Sequence, residues 1–426
     1  MSGIGPTSTM VPRRRTRAPI LPHDAGLKAE GWCALLVTFT LGVQFRLSPD
    51  INAGYIAAAI VLPVTFAVVR HYRAANLIGL LCVLAAASGL ILTWLDGSEG
   101  GTDHSRTIVQ TARVLGLGAG MLAMLWARST VGSRATIFSY SVGYLCGLAI
   151  PGLDPDNFWK FSLSIPVTLV VLSFPGIYRR AAAETVALVV LSAISALNDT
   201  RGLAAMTLMT AALIITQRDR RPDRLVRRGK ATSVLVRLGL ISLAVFYASQ
   251  ALILDGTLGD AAKERTAEQI QTSGSVLLGG RPELGASIAL IEARPTGYGA
   301  GALASPDDVL TAKSGMAELG YDPNNGYVEI YMFGDGFEVH SVLGDLWLLY
   351  GVAGIILGLT VLGAGVFGMA RALSMGTASA ALLFLCIRIV WDCAFSPYPS
   401  AMATLMLALA MALPLKGTMP RHRREA

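Results

Sequence analysis

Residues 75–95 read ANLIGLLCVLAAASGLILTWL, an unbroken stretch with no charged side chain. The hydrocarbon core of a bilayer is about 30 Å thick and takes roughly 20 apolar helical residues to cross. The stretch therefore reads as a transmembrane helix, with Trp94 as an interfacial anchor at its end. Comparable apolar runs lie at 31–46, 52–69, 108–127, 136–151, 161–177, 182–197, 202–217, 231–254, 341–370, 377–395 and 400–415. The expectation is an all-α polytopic membrane protein with about twelve spans. Composition points the same way: 53% of the 426 residues are apolar and 15% are charged, against about 25% charged in soluble domains. A soluble enzyme, a disordered chain and a secreted disulfide scaffold are excluded.

The net charge of +7 comes from basic residues clustered between apolar runs, so nucleic acid is not an expected partner. Arg70 with Arg73, Arg128 with Arg134, Arg179 with Arg180, the run Arg218–Lys230, Arg371, and Arg421 with Arg423 and Arg424 fall in every second loop. The loops between them, DGSEGGTDHSR, PGLDPDN, NDTR and SPYPS, are acidic or turn-like. By the positive-inside rule the basic loops and both termini are cytoplasmic. The tail carrying Arg13, Arg14, Arg15 and Arg17 reads as cytoplasmic, ahead of a retained helix.

The expected organisation is a basic tail over 1–30, nine spans over 31–254, an extracytoplasmic loop domain over 255–339, three spans over 340–415 and a second tail over 416–426. The loop domain carries 13 acidic and 5 basic residues together with amphipathic stretches and aromatics, so it is expected to fold over the outer mouth of the bundle. Cys33, Cys82, Cys146, Cys386 and Cys393 lie in apolar segments without metal-ligand spacing and read as packing residues.

Cations on the side where the rule disfavours them need another reason to be there. Arg201 sits in NDTRG between two runs, Arg281 in GGRPELGASIALIEARP inside the loop, and His340 in EVHSVLGD just before the next run. Pro282 suits a first helical position, and Leu284, Ile288 and Ile291 recur at helical spacing, so Arg281 opens a short amphipathic helix. Free N–H groups at a helix start and a planar guanidinium both favour phosphate. The plainer readings are a surface arginine, a snorkelling Arg201 and an interfacial histidine.

Other signals are weaker. GYGAG at 297–301 lacks the flanking strand and helix of a dinucleotide site. Asp307 and Asp308 have no further ligand spacing, and no metal site is expected. Arg388 and Asp392, four apart, share a helix face and read as a functional or a structural pair.

Taken together these residues resemble the O-antigen ligase and O-antigen polymerase superfamily of bacterial glycan-assembly enzymes. The resemblance rests on "TRG" at 200–202, on Arg281 followed by Pro295, Gly297, Gly299 and Gly301, and on His340 followed by Ser341, Leu343, Gly351 and Gly354. It departs from the family pattern at Ser341 and Leu349, where Asn and an acidic residue are usual, and Asp345 or Glu338 stand near enough to compensate.

The resemblance implies a transferase in the cytoplasmic membrane, active on the extracytoplasmic side. It would move a glycan from a polyprenyl-diphosphate carrier to a hydroxyl on a glycan, lipid or wall-polymer acceptor, among membrane lipids and other glycan-assembly proteins. Arg201, Arg281 and His340 are the implied catalytic residues. Arg294, Gly299, Gly301, Ser341 and Asp345 are the implied substrate contacts. Two fixed guanidinium charges leave no need for a metal or cofactor. The alternatives are a lipid-linked glycan flippase, or a transferase using a polyprenyl-monophosphate sugar. The latter is expected to carry acidic residues in its first outer loop, where this chain has only RLSPD at 46–50.

Overall fold

The computed structural model describes residues 28–48, 51–95, 101–218, 281–322, 324, 326–334 and 337–416, with single positions between 236 and 270. The basic N-terminal tail, the tail after 416, most of the Arg218–Lys230 run and most of the expected ninth span lie outside the described residues.

Among the described residues the named elements are helical apart from one small hairpin. Helix α1 (Ala29–Val43) leads through β1 (Arg46–Ser48) and β2 (Ile51–Asn52) into α2 (Ala53–Val69), α3 (Ala75–Leu95) and α4 (His104–Leu148). A π-helical turn at Trp159–Leu163 continues as α5 (Ser164–Ser173), followed by α6 (Ala181–Leu197) and α7 (Arg201–Arg218). Two short helices, α8 (Glu283–Ala293) and α9 (Pro306–Glu318), pack together and precede a second π-helical turn at Val328–Met332. The last described helices are α10 (Val342–Met375), broken at Gly351 with φ 59°, α11 (Ala380–Phe395) and α12 (Tyr398–Ala412).

The number of long apolar helices is smaller than the sequence suggests. Among the described residues only α3, α4 and α10 are long and apolar enough to cross a membrane, not about twelve helices. Six other apolar stretches form helices of 10–17 residues, which at 1.5 Å per residue fall short of a core about 30 Å thick. The apolar runs outlast the helices they contain. The run at 31–46 stops being helical at Gln44, whose φ of 53° turns the chain into the hairpin. The run at 161–177 ends its helix at Ser173, because Phe174 is extended ahead of Pro175. The expected spans 108–127 and 136–151 are separate helical stretches on either side of Gly132, whose φ of 86° breaks α4 between them. The result is a helical membrane protein with a few long apolar helices.

Helix α4 is the axis against which α1, α2, α3, α5 and α12 pack, while α10 lies against α3, α11 and α12. Small residues permit the closest approach. A Cβ on Gly42 would run into the backbone of Tyr140, one on Gly143 into that of Phe39, and one on Gly147 into that of Val43. Without a hydrophobic drive between helices in lipid, such backbone contact is a main source of association. At one pole Arg128 donates to the carbonyls of Ala410, Met411 and Leu413 at 2.6, 3.1 and 2.9 Å, closing the free end of α12. The opposite pole carries the hairpin, the π-turn at Trp159–Leu163 and the starts of α4, α7, α10 and α12.

Two glycine substitutions should have opposite signs. Gly143→Ala forces α1 and α4 apart and should cost about 1–3 kcal/mol. Gly363→Ala lies in α10 with no atom within 4 Å of the added carbon, and should stabilise by about 0.5–1 kcal/mol. Unfolding of the detergent-solubilised protein checks both; a loss of stability in each would contradict the packing described.

Candidate anion-binding site

Arg201 opens α7 after a tight turn. Asp199 has φ 51°, and the N–H of Thr200 donates to the Ser195 carbonyl at 2.8 Å. The turn aims the Asp199 carboxylate at two cations: Oδ1 accepts from Arg201 Nε at 3.2 Å and Oδ2 from Lys160 Nζ at 3.1 Å. Partial burial alone would push this carboxyl up, but the Lys160 hydrogen bond and the two positive charges outweigh it and hold it below the usual range. Gly202 follows because the Trp391 ring lies over it, 3.0 Å from where a Cβ would stand. The glycine of "TRG" is thus a packing requirement.

Helix α11 supplies the facing wall. Arg281, just before α8, places its guanidinium 5.7 Å from the Trp391 ring and 5.5 Å from that of Phe395. Two aromatic faces hold the cation without neutralising it. One turn before Trp391, Arg388 Nε lies 3.3 Å from Asp392 Oδ2 and donates to Thr404 Oγ1 at 3.0 Å. Lys160, Arg201, Arg281 and Arg388 then line one cavity of about 480 Å³, with Asp199 the sole lining carboxylate among the described residues. Four cations face one lining carboxylate, with Asp392 paired to Arg388, so the cavity carries an excess of positive charge.

His340 does not line that cavity. Its backbone is pinned on both sides. Asp345 accepts the Val339 N–H at 2.6 Å and the Tyr398 N–H at 2.7 Å, while Ser341 caps α10 through Gly344 and donates to the Cys393 carbonyl at 3.2 Å. His340 itself has φ 56°, an uncommon conformation for a side-chain-bearing residue. Its Nδ1 is buried without a hydrogen-bond partner. Glu283, 7% exposed, accepts the Tyr327 hydroxyl on Oε1 at 2.6 Å, and its Oε2 is buried without a partner. The Tyr327 ring lies 6.2 Å from the imidazole. Burial lowers the His340 pKa, the Glu283 charge opposes that, and Arg281 lowers it further, for a net downward shift. Arg281 and Glu283, on either side of Pro282, thus connect the cavity to the histidine.

The remaining candidates are placed as follows. The Arg294 guanidinium lies 4.8 Å from the Tyr298 ring and not in the cavity. Gly299, with φ 116°, and Gly301 press a strap against α3 and α4. A Cβ on the first would meet Thr93 N at 2.7 Å, and one on the second would meet Thr107. Ser341 and Asp345 are buried and engaged in the bonds above. Asp308 closes a capping box with Ser305 at the start of α9. Among the described residues no group of three or more His, Cys, Asp or Glu side chains is placed to hold a metal. All five cysteines are free.

Sequence reasoning missed Lys160 and Glu283. Lys160 follows the acidic stretch PGLDPDN and was as misplaced by the orientation rule as Arg201, so the same test finds it. Glu283 had no such signal, since a carboxylate in a first helical turn is ordinary.

The signs of the His340 shift can be tested. A neutral imidazole is favoured in the folded state, so its contribution to stability is whole above about pH 6.5 and declines as pH falls through the lowered pKa. Glu283→Gln should lower the imidazole titration further and Arg281→Gln should raise it, read by NMR of ring-labelled histidine. Movement in the opposite directions would contradict the arrangement. Comparisons of the chain with protein-family models, with curated proteins and with solved structures find no match.

Proposed function

We propose that this chain is a membrane glycosyltransferase of the O-antigen ligase or polymerase kind. It transfers a glycan from a polyprenyl-diphosphate carrier to an acceptor hydroxyl at the extracytoplasmic face of the cytoplasmic membrane. The observation that carries this reading is the convergence of Lys160, Arg201, Arg281 and Arg388 on one cavity with a single lining carboxylate. A diphosphate attached to a membrane-borne chain is the kind of ligand such a cavity suits.

The chemistry asks for two things. The acceptor oxygen attacks the anomeric carbon, the bond from that carbon to the diphosphate oxygen breaks, and its electron pair leaves on the polyprenyl diphosphate. Negative charge therefore grows on the leaving group, and fixed cations aimed there favour the transition state over the ground state. Arg281, held by aromatic faces, and Arg201, held by Asp199, are set in place before reaction and need little reorganisation. The acceptor proton must also go somewhere. A half-buried imidazole shifted downward is neutral near pH 7 and can take it, and the buried Glu283 carboxylate then stabilises the imidazolium.

Reconstituted protein given labelled polyprenyl-diphosphate glycan and an acceptor tests the proposal. A new glycosidic bond and released polyprenyl diphosphate are expected. Arg201→Gln and Arg281→Gln should each lower turnover by about 10² or more, with Arg→Lys rescuing only part because Lys lacks the planar fork. His340→Ala should abolish transfer while leaving donor binding largely intact. Passage of intact substrate across the bilayer with no new bond would overturn the reading in favour of a flippase.

A further inference from the structure

A second polar cavity, about 360 Å³, opens between the β1–β2 hairpin, the early turns of α4 and the start of α12. Arg46 of the hairpin and Arg113 of α4 line it, together with Gln44, Asn52, Tyr55 and Tyr144, and among the described residues no Asp or Glu does. Arg113 donates to a neutral acceptor, Gln110 Oε1, at 2.8 Å. Among the described residues neither arginine forms an ion pair with a carboxylate.

Arg113 is the more telling of the two. It belongs to one of the three helices long and apolar enough to cross a membrane, where an unpaired cation is costly. The local packing preserves room beside it. Gly116, three residues on, leaves space for the Tyr55 ring, whose atoms would lie 2.7 Å from an added Cβ. The cavity also adjoins the first one. Lys160 lines one and its neighbour Phe161 the other, and Arg388 of the first donates to Thr404, next to Ala403 of the second.

We propose that the Arg46–Arg113 cavity is a second anion site that takes a phosphate group, carried by an anionic phospholipid headgroup or by a phosphorylated sugar. Two guanidinium forks and two tyrosine hydroxyls offer donors to all the oxygens of one phosphate, and a filled site would neutralise the charge that Arg113 brings into the helix bundle. This assignment does not rest on the transferase reading.

The test uses the full chain carrying Arg201→Gln and Arg281→Gln, which removes two of the four cations of the first cavity. In phosphatidylcholine nanodiscs, equilibrium dialysis measures binding of radiolabelled glucose 1-phosphate. In mixed nanodiscs, native mass spectrometry counts retained phosphatidylglycerol. At least one probe should bind, and adding R46Q or R113Q should weaken it tenfold or more, with R113K intermediate. Loss confined to glucose 1-phosphate assigns a sugar phosphate, and loss confined to phosphatidylglycerol assigns a lipid headgroup. Should the doubly substituted chain fail to fold, R46Q in the otherwise unaltered chain must remove one bound probe from the saturated stoichiometry while the first cavity still binds, and an unchanged stoichiometry would count against the proposal. Unchanged binding of both probes on adding R46Q and R113Q, or no binding of either before they are added, would overturn the proposal.

Discussion

One buried carboxylate sets the geometry of the functional pole. Asp345, wholly removed from solvent, accepts the Val339 N–H ahead of α10 and the Tyr398 N–H that begins α12. Two backbone donors on separate segments would be orphaned without it, each at a cost of about 1–3 kcal/mol. Ser341 extends the tie to α11 through the Cys393 carbonyl. Three helices are thereby fixed around His340, and α11 carries Arg388, Trp391 and Phe395, the wall of the first cavity. The position of the cations relative to the histidine follows from a residue that touches neither.

Gathering cations at such a pole is unfavourable by itself. Two unit charges about 6 Å apart repel by roughly 3 kcal/mol at an effective dielectric constant of 20. The chain limits that cost in three ways: Asp199 is shared by Lys160 and Arg201, Asp392 sits behind Arg388, and aromatic faces hold Arg281. What remains is an excess of positive potential in an open cavity. A polyanionic ligand removes it, and a neutral one does not.

Much of this was legible in the sequence, and the losses have physical causes. Apolar runs announced helices and a membrane, yet hydropathy continues across backbone breaks, so Gln44 and Phe174 ended helices that composition alone would have extended. Arg201 and Arg281 stood out because a cation in an acidic loop violates an orientation rule, and they line the same cavity. Gly299 and Gly301, which the resemblance implies as substrate contacts, press a strap onto α3 and α4, a packing role that close-spaced glycines serve as readily as ligand approach. Arg113 escaped notice because a single charge inside a long apolar run is averaged away.

The central claim is that the cation-lined cavity holds the diphosphate of a lipid-linked donor. A cryo-electron microscopy structure of the full chain with bound polyprenyl diphosphate tests it directly. The account predicts the diphosphate between the Arg201 and Arg281 guanidinium groups, with oxygens about 3 Å from each and Arg281 still lying against Trp391 and Phe395. A diphosphate bound elsewhere, with Arg201 still on Asp199 and the cavity filled only by solvent, would contradict it.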